Sequence, residues 1–171
     1  NEIIKDIESL IVNPHENPKK QAHEIHSLQT KWQLLDQSSK PAGREQWIAF
    51  KELTDKAWIP CAEYYDELKK IKISNAKQRE NIIQSLIQYS SSHSDKWPGL
   101  IEMSKFLSKT FKEWQSFAPV LDEDFTKLKA AYQEARKPIN NAIKEQETKN
   151  YKIKELLIEK VKLIDDEDTQ S

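Results

Sequence analysis

The sequence predicts an all-α protein, and three observations carry that prediction. Turn-forming residues are scarce: 171 residues contain two glycines and seven prolines, with 32% charged side chains, a composition that starves hairpins and favours long solvated helices. Apolar or small residues recur at alternating three- and four-residue steps from Trp47 to Ile87, about six heptads of a helix packed along its length. The same order of features then appears twice along the chain, the mark of an internal duplication.

Residues 1 to 12 carry Ile3, Ile4, Ile7, Leu10 and Ile11 at helical spacing and read as the last turns of a helix, ended by Asn13-Pro14. Asn17-Pro18 is a start signal, an N-cap followed by proline in the first helical position. The helix it opens is expected to reach about Leu35, with Ala22, Ile25, Leu28, Trp32 and Leu35 on one face. Gln37 to Gly43, with Pro41, reads as a loop.

The long helix follows, with a seam of Phe50, Thr54, Ala57, Cys61, Tyr64, Leu68, Ile71, Asn75, Gln78 and Ile82, spanning roughly 60 Å at 1.5 Å per residue. It is expected to fade in Ser90-Ser91-Ser92-His93-Ser94, whose side chains compete for backbone hydrogen bonds. Asp95 reads as the cap of a second short helix carrying Leu100, Met103, Phe106, Leu107, Phe111 and Trp114. Phe117 to Leu121, with Pro119, is the second loop, and Asp122 reads as another N-cap. From Phe125 the seam returns as Leu128, Tyr132, Ala135, Ile139, Ala142, Gln146, Lys149, Ile153, Leu156 and Val161. The acidic tail from Asp165 to Ser171 has no apolar anchor and is expected to fray.

Each half thus has a short helix ending in tryptophan, a proline-containing loop, an aromatic-led long helix and a proline within it. Trp32 and Trp114 are 82 positions apart, whereas Trp47 and Phe125, Phe50 and Leu128, and Pro60 and Pro138 are each 78 apart, so the difference falls in the loop. A proline inside a helix removes one hydrogen bond and crowds the preceding turn, at about 3 kcal/mol, so its presence at matching positions is a structural statement. Both long helices are expected to kink there rather than break, because the heptads keep their phase. Trp32, Trp47, Phe50, Trp114, Phe125, Pro60 and Pro138 are the expected structural anchors. The expected units are residues 1–92 and 93–164, followed by a tail at 165–171. In each, a short helix and its flanking long helices form an antiparallel three-helix arrangement, with the long helix shared between consecutive units.

Leu28-Gln29-Thr30-Lys31-Trp32, Lys112-Glu113-Trp114, Pro119-Val120 and the opening Trp47-Ile48-Ala49-Phe50 resemble the bacterial repeat catalogued as domain of unknown function 349. That family carries a short helix closing on a tryptophan, a proline-containing loop and a Trp-x-x-Phe helix. The resemblance covers most of the chain as two tandem units. It implies a helical-repeat fold and no catalytic residue, since its motifs are core aromatics.

The chemistry-bearing residues argue against an enzyme, and no cofactor or small-molecule substrate is expected. Gly43 and Gly99 stand alone, so no phosphate-cradling loop exists; the serines lie in polar turns without a nucleophile elbow. His23 and His26 fall one residue short of the His-Glu-x-x-His spacing and, with His15 and His93, read as surface residues rather than metal ligands. Cys61, the one cysteine, lies on the seam as a buried thiol, which assigns the chain to a reducing compartment such as the cytoplasm. No apolar run approaches a membrane span. Asn1-Glu2-Ile3-Ile4-Lys5 is neither a signal peptide nor a natural initiator, so the chain reads as a fragment of a longer bacterial protein. With 27 basic and 28 acidic residues there is no global basic excess.

The expected role is an interaction or scaffold module that binds a protein partner or a second copy. Polar Asn75 and Gln78 on the seam mark a stretch of the long helix expected to be exposed for it. The alternative is RNA or ribosome binding through Lys69, Lys70, Lys72, Lys77 and Arg79, a basic stripe free of acidic residues. Trp58, off the main seam, is expected to pack on the first short helix.

Overall fold

The computed structural model describes residues 2–38 and 43–168. Five helices and no strand are found among them: α1 (Glu2–Val12), α2 (Pro18–Ser38), α3 (Arg44–His93), α4 (Leu100–Ser116) and α5 (Asp122–Asp168). The fold class is therefore all-α. At 50 and 47 residues, α3 and α5 span about 75 and 70 Å, far beyond α2 and α4.

Local signals account for most helix ends. Asn17 caps α2, its Oδ1 accepting from the Lys19 N–H at 2.9 Å. Asp95 does not cap α4; Gly99 does, in extended backbone and with no side-chain bond. Asp122 lies inside the first turn of α5, one residue past Leu121, whose carbonyl accepts from the N–H groups of Asp124 and Phe125. With Glu123 and Asp124 it places three carboxylates at the positive end of the helix dipole. α3 ends at His93, inside the serine run where it is expected to fade, but the first serines are still fully helical. Ser90 and Ser91 donate to the carbonyls of Leu86 and Ile87 one turn back, at 3.1 and 2.9 Å, so their hydroxyls ride on the helical ladder instead of replacing it. Of the loop expected at Gln37 to Gly43, residues 39–42 lie outside the described residues, and Gln37 and Ser38 belong to α2. The acidic run from Asp165 continues α5 to Asp168; residues 169–171 lie outside the described residues. Helix continues through both Pro60 and Pro138.

The chain divides into two compact units, Asn1–Lys70 and Ile71–Ser171. The division falls inside α3, not after it at residue 92. In the first unit the core is Ile3, Ile7 and Leu10 of α1, Ile25, Leu28 and Trp32 of α2, and Phe50 and Ala57 of α3. Burying one such side chain is worth about 1.5–3 kcal/mol. Trp32 stacks on Phe50 with ring centroids 4.1 Å apart.

In the second unit Ala76, Ile82, Ile83 and Leu86 of α3 close on Met103, Leu107 and Trp114 of α4 and on Leu128, Tyr132, Ala135, Ile139 and Ala142 of α5. Here Trp114 stacks on Tyr132 at 4.2 Å. That partner sits one turn later than the position matching Phe50, which is occupied by non-aromatic Leu128.

Two buried polar groups tie helices together. Gln21 is fully buried and uses both ends of its amide: Oε1 accepts from the His15 N–H at 2.9 Å, and Nε2 donates to Leu10 O at 3.2 Å and Ala57 O at 3.0 Å. The last bond falls one residue after Lys56, whose carbonyl loses its ladder donor to Pro60, so a side chain of α2 is anchored to α3 beside that weakened turn. Cys61 Sγ donates to Pro18 O at 3.5 Å beside it. In the second unit, Asn75 Nδ2 donates to Pro119 O at 2.8 Å and Gln146 Nε2 to Pro98 O at 2.8 Å, holding both loops that flank α4.

Replacing Gln21 by Ala removes all three bonds and leaves the part-buried His15 N–H and the Leu10 carbonyl without this partner. Chemical unfolding followed by circular dichroism should show a loss of roughly 2–4 kcal/mol. A change below ~0.5 kcal/mol contradicts the role assigned to its three bonds.

Candidate interaction surface

The side chains of α5 divide sharply at Gln146. Up to that residue its inward stripe is buried: Leu128, Tyr132, Ala135, Ile139 and Ala142 all lie in the second core. From Glu147 to Asp165 every residue is exposed. Helix persists there because the segment lacks glycine and proline and is rich in Lys, Glu, Leu and Ile. Its apolar stripe persists as well. Steps of three and four from Ile139 through Ala142 and Gln146 lead to Lys149, Ile153, Leu157, Lys160 and Ile164, flanked by Leu156, Val161 and Leu163. These six apolar side chains, Ile153, Leu156, Leu157, Val161, Leu163 and Ile164, are 55–64% exposed. Six large apolar residues on one face is more than the scattered exposure of an ordinary surface. Sequence periodicity places these residues on the seam, but only the packing shows that none of the described residues covers them.

The basic stripe does not come together as one surface. Arg79 is 6% exposed, its guanidinium lying 4.4 Å above the centre of the Trp114 ring. Burial holds its pKa below the usual arginine value, while the ring face supplies cation–π attraction in return. Lys70 pairs at 2.7 Å with Glu67, the residue immediately before the acid-free stretch, and that carboxylate raises the lysine's pKa. Lys69 and Lys77 are exposed and Lys72 is half-buried. The absence of acidic residues between Leu68 and Arg79 is thus offset by Glu67 and by the insertion of Arg79 into a core.

The seam of α3 also departs from the strict heptad reading. Ile71 and Gln78 are exposed, while Lys72, Asn75, Ala76 and Arg79 turn inward to different depths. A straight α-helix drifts by about 20° per heptad against a 3.5-residue repeat. By the second unit the buried face has therefore moved round by one residue. Asn75 is half-buried and committed to Pro119 O; Gln78 remains open.

Among the aromatics, Trp32, Phe50 and Trp114 are buried, but Trp47 and Phe125 are not core anchors: they are 50% and 51% exposed. Both stand in the first turn of a long helix, at the edge of the packing rather than within it. Pro60 and Pro138 are exposed too, which keeps their carbonyl-crowding turns next to water. Trp58 packs as expected, half-buried between His26 of α2 and Tyr65, with ring centroids at 5.6 and 5.2 Å. Trp97 lies against the second core.

His15 Nε2 lies 2.8 Å from Glu24 Oε2, and the imidazole holds that carboxyl below its usual range. His23 and His26 are exposed. Among the described residues no group of three His, Cys, Asp or Glu is placed to hold a metal ion, and no helix is long and apolar enough to cross a membrane. Cys61 is fully buried, and desolvation pushes its thiol pKa up.

No family model matches the chain, and no curated protein or solved structure matches it either.

Substituting Arg79 by Ala removes the stack on Trp114 and its packed stem. Thermal or chemical unfolding should show a loss of about 1–2 kcal/mol, against less than ~0.5 kcal/mol for Lys69→Ala; equal effects sink the assignment. Cys61 should resist iodoacetamide in the native chain at mildly alkaline pH and react fully in denaturant, as read by mass spectrometry. Rapid native modification contradicts its burial.

Proposed function

We propose that the chain is a non-enzymatic helical-repeat interaction or scaffold module of a bacterial protein, acting in the cytoplasm. Its two units are tandem repeats, each an antiparallel three-helix arrangement, and the resemblance to domain of unknown function 349 supports that reading. So do the paired tryptophan stacks and the matched prolines. The observation that carries the function is the uncovered stripe from Ile153 to Ile164: a helix of this length holding six exposed apolar residues on one face serves association, because the hydrophobic effect rewards their removal from water. The burial of Arg79 and the pairing of Lys70 favour a protein partner over RNA or a ribosome surface, since both subtract cations from the only basic stretch on α3.

A tagged chain captured from bacterial lysate, with and without ribonuclease, tests this. Bound protein is expected to survive the treatment, and fluorescence polarisation with single-stranded RNA is expected to show no binding at low ionic strength. Species lost on ribonuclease treatment, together with salt-sensitive RNA binding abolished by substituting Lys69, Lys72 and Lys77, overturn the reading.

A further inference from the structure

In the second unit Trp114 and Tyr132 stack with ring centroids 4.2 Å apart, and two guanidiniums attend that pair. Tyr132 covers one face of the indole, so Arg79, whose guanidinium carbon lies 4.4 Å from the indole centre, takes the other. Arg136 of α5 lies 5.3 Å from the centre of the Tyr132 ring and 6.0 Å from that of Phe111. The position matching Arg136 in the first unit, 78 residues earlier, is held by Trp58, so this pair of cations belongs to the second unit.

What these two side chains lack is an anion. Neither has an ion pair among the described residues, and in each the Nε–H is enclosed without an acceptor. Arg79 is 6% exposed and Arg136 is half-buried. A guanidinium carries five donors, no acceptor and a charge it does not give up, so enclosing it leaves a cost that a ring face offsets only in part. The gap is not a shortage of acid. The chain has 28 acidic residues against 27 basic ones, and Glu113 and Glu134, close in sequence to the stack, pair with Lys109 and Lys137. Buried donors in folded proteins are almost always matched, so two unmatched guanidiniums in one layer call for an acceptor from outside the chain.

We propose that Arg79 and Arg136 bind the carboxylates of an acidic segment of a protein partner, which docks over the layer of Trp114 and Tyr132. Only the Nε atoms are enclosed; the Nη groups reach the surface, where they form the planar fork that matches a carboxylate two bonds at a time. The rings orient both forks in advance, so little side-chain freedom is lost on binding. Phe111, 43% exposed beside Arg136, offers an apolar contact next to the charges. A nucleic-acid backbone suits this layer less well, because it is held by exposed cations along its track, and here Lys109 and Lys137 are matched by glutamates. The proposal rests on the interaction-module reading and names the chemistry of its partner.

Fluorescence anisotropy of the full chain with a fluorescein-labelled hexaglutamate peptide tests it. Saturable binding is expected at low ionic strength, weakened roughly tenfold or more by Arg136→Gln and by Arg79→Lys. The second substitution keeps the charge and loses the fork. Arg136 lies outside the second core, so Arg136→Gln should keep the wild-type melting temperature and read binding alone. The Lys69→Ala, Lys77→Ala double variant, which removes two exposed charges, should bind as the wild type does. No binding of hexaglutamate, an equal loss in the lysine double variant, or a uridine decamer that binds more tightly than hexaglutamate overturns the proposal. A chain that ignores hexaglutamate but still captures ribonuclease-resistant protein removes the acidic docking and leaves the module reading intact; a chain that binds it through the two arginines while its captured species are ribonuclease-sensitive does the reverse.

Discussion

A helix can bury its apolar stripe only as far as neighbouring helices run beside it, and here the long helices outrun the short ones. α3 and α5 have 50 and 47 residues, α2 and α4 have 21 and 17. Each short helix therefore covers less than half of a long one. α3 meets this constraint by giving its first half to a core with α1 and α2 and its second half to a core with α4 and α5. α5 gives its first half to the second core and has no core for the rest. The cores, the place where the units divide and the bare face at residues 147–165 all follow from that mismatch.

Within each unit the weak points are backbone groups rather than apolar contacts. Pro60 takes a donor away from α3 and crowds the turn holding Ala57, and at that turn the buried Gln21 amide reaches across from α2 while also holding the end of α1 and the following loop. Asn75 and Gln146 play comparable parts at the two loops beside α4. Polar residues on an otherwise apolar seam thus serve as fasteners, since a buried carbonyl or N–H left without a partner costs more than an apolar contact returns. Asn75 is informative here: on the sequence it reads as a loosening of the packing, whereas its amide is bound to a carbonyl 44 residues away.

Much of the fold was legible before any packing was known. Ile7, Ile25, Trp32, Phe50, Ala57, Cys61, Met103, Trp114, Ile139 and Ala142 are apolar or small residues at helical spacing, and all are buried. Less legible were the residues whose fate depends on what stands opposite. Trp47 and Phe125 look like Trp32 in chemistry and periodicity, yet sit half-exposed in the first turns of the long helices. Arg79 looks like one cation in a basic stripe, yet Trp114, 35 positions later, gives it a flat face to lie on. The seam itself slips by a residue along α3, because a rigid heptad count ignores the helix's own 3.6-residue turn.

By itself the sequence determined that this is an all-α chain with long helices, where those helices begin and end to within a few residues, and which face of each is apolar. These are local properties, set by scarce glycine, by caps and prolines, and by the spacing of side chains along one helix. Only the tertiary structure decided which parts of those faces are covered. Burial depends on whether another helix reaches a given turn, and that depends on the relative lengths of segments far apart in the chain. The same apolar stripe is therefore core at Ile139 and open surface at Ile153.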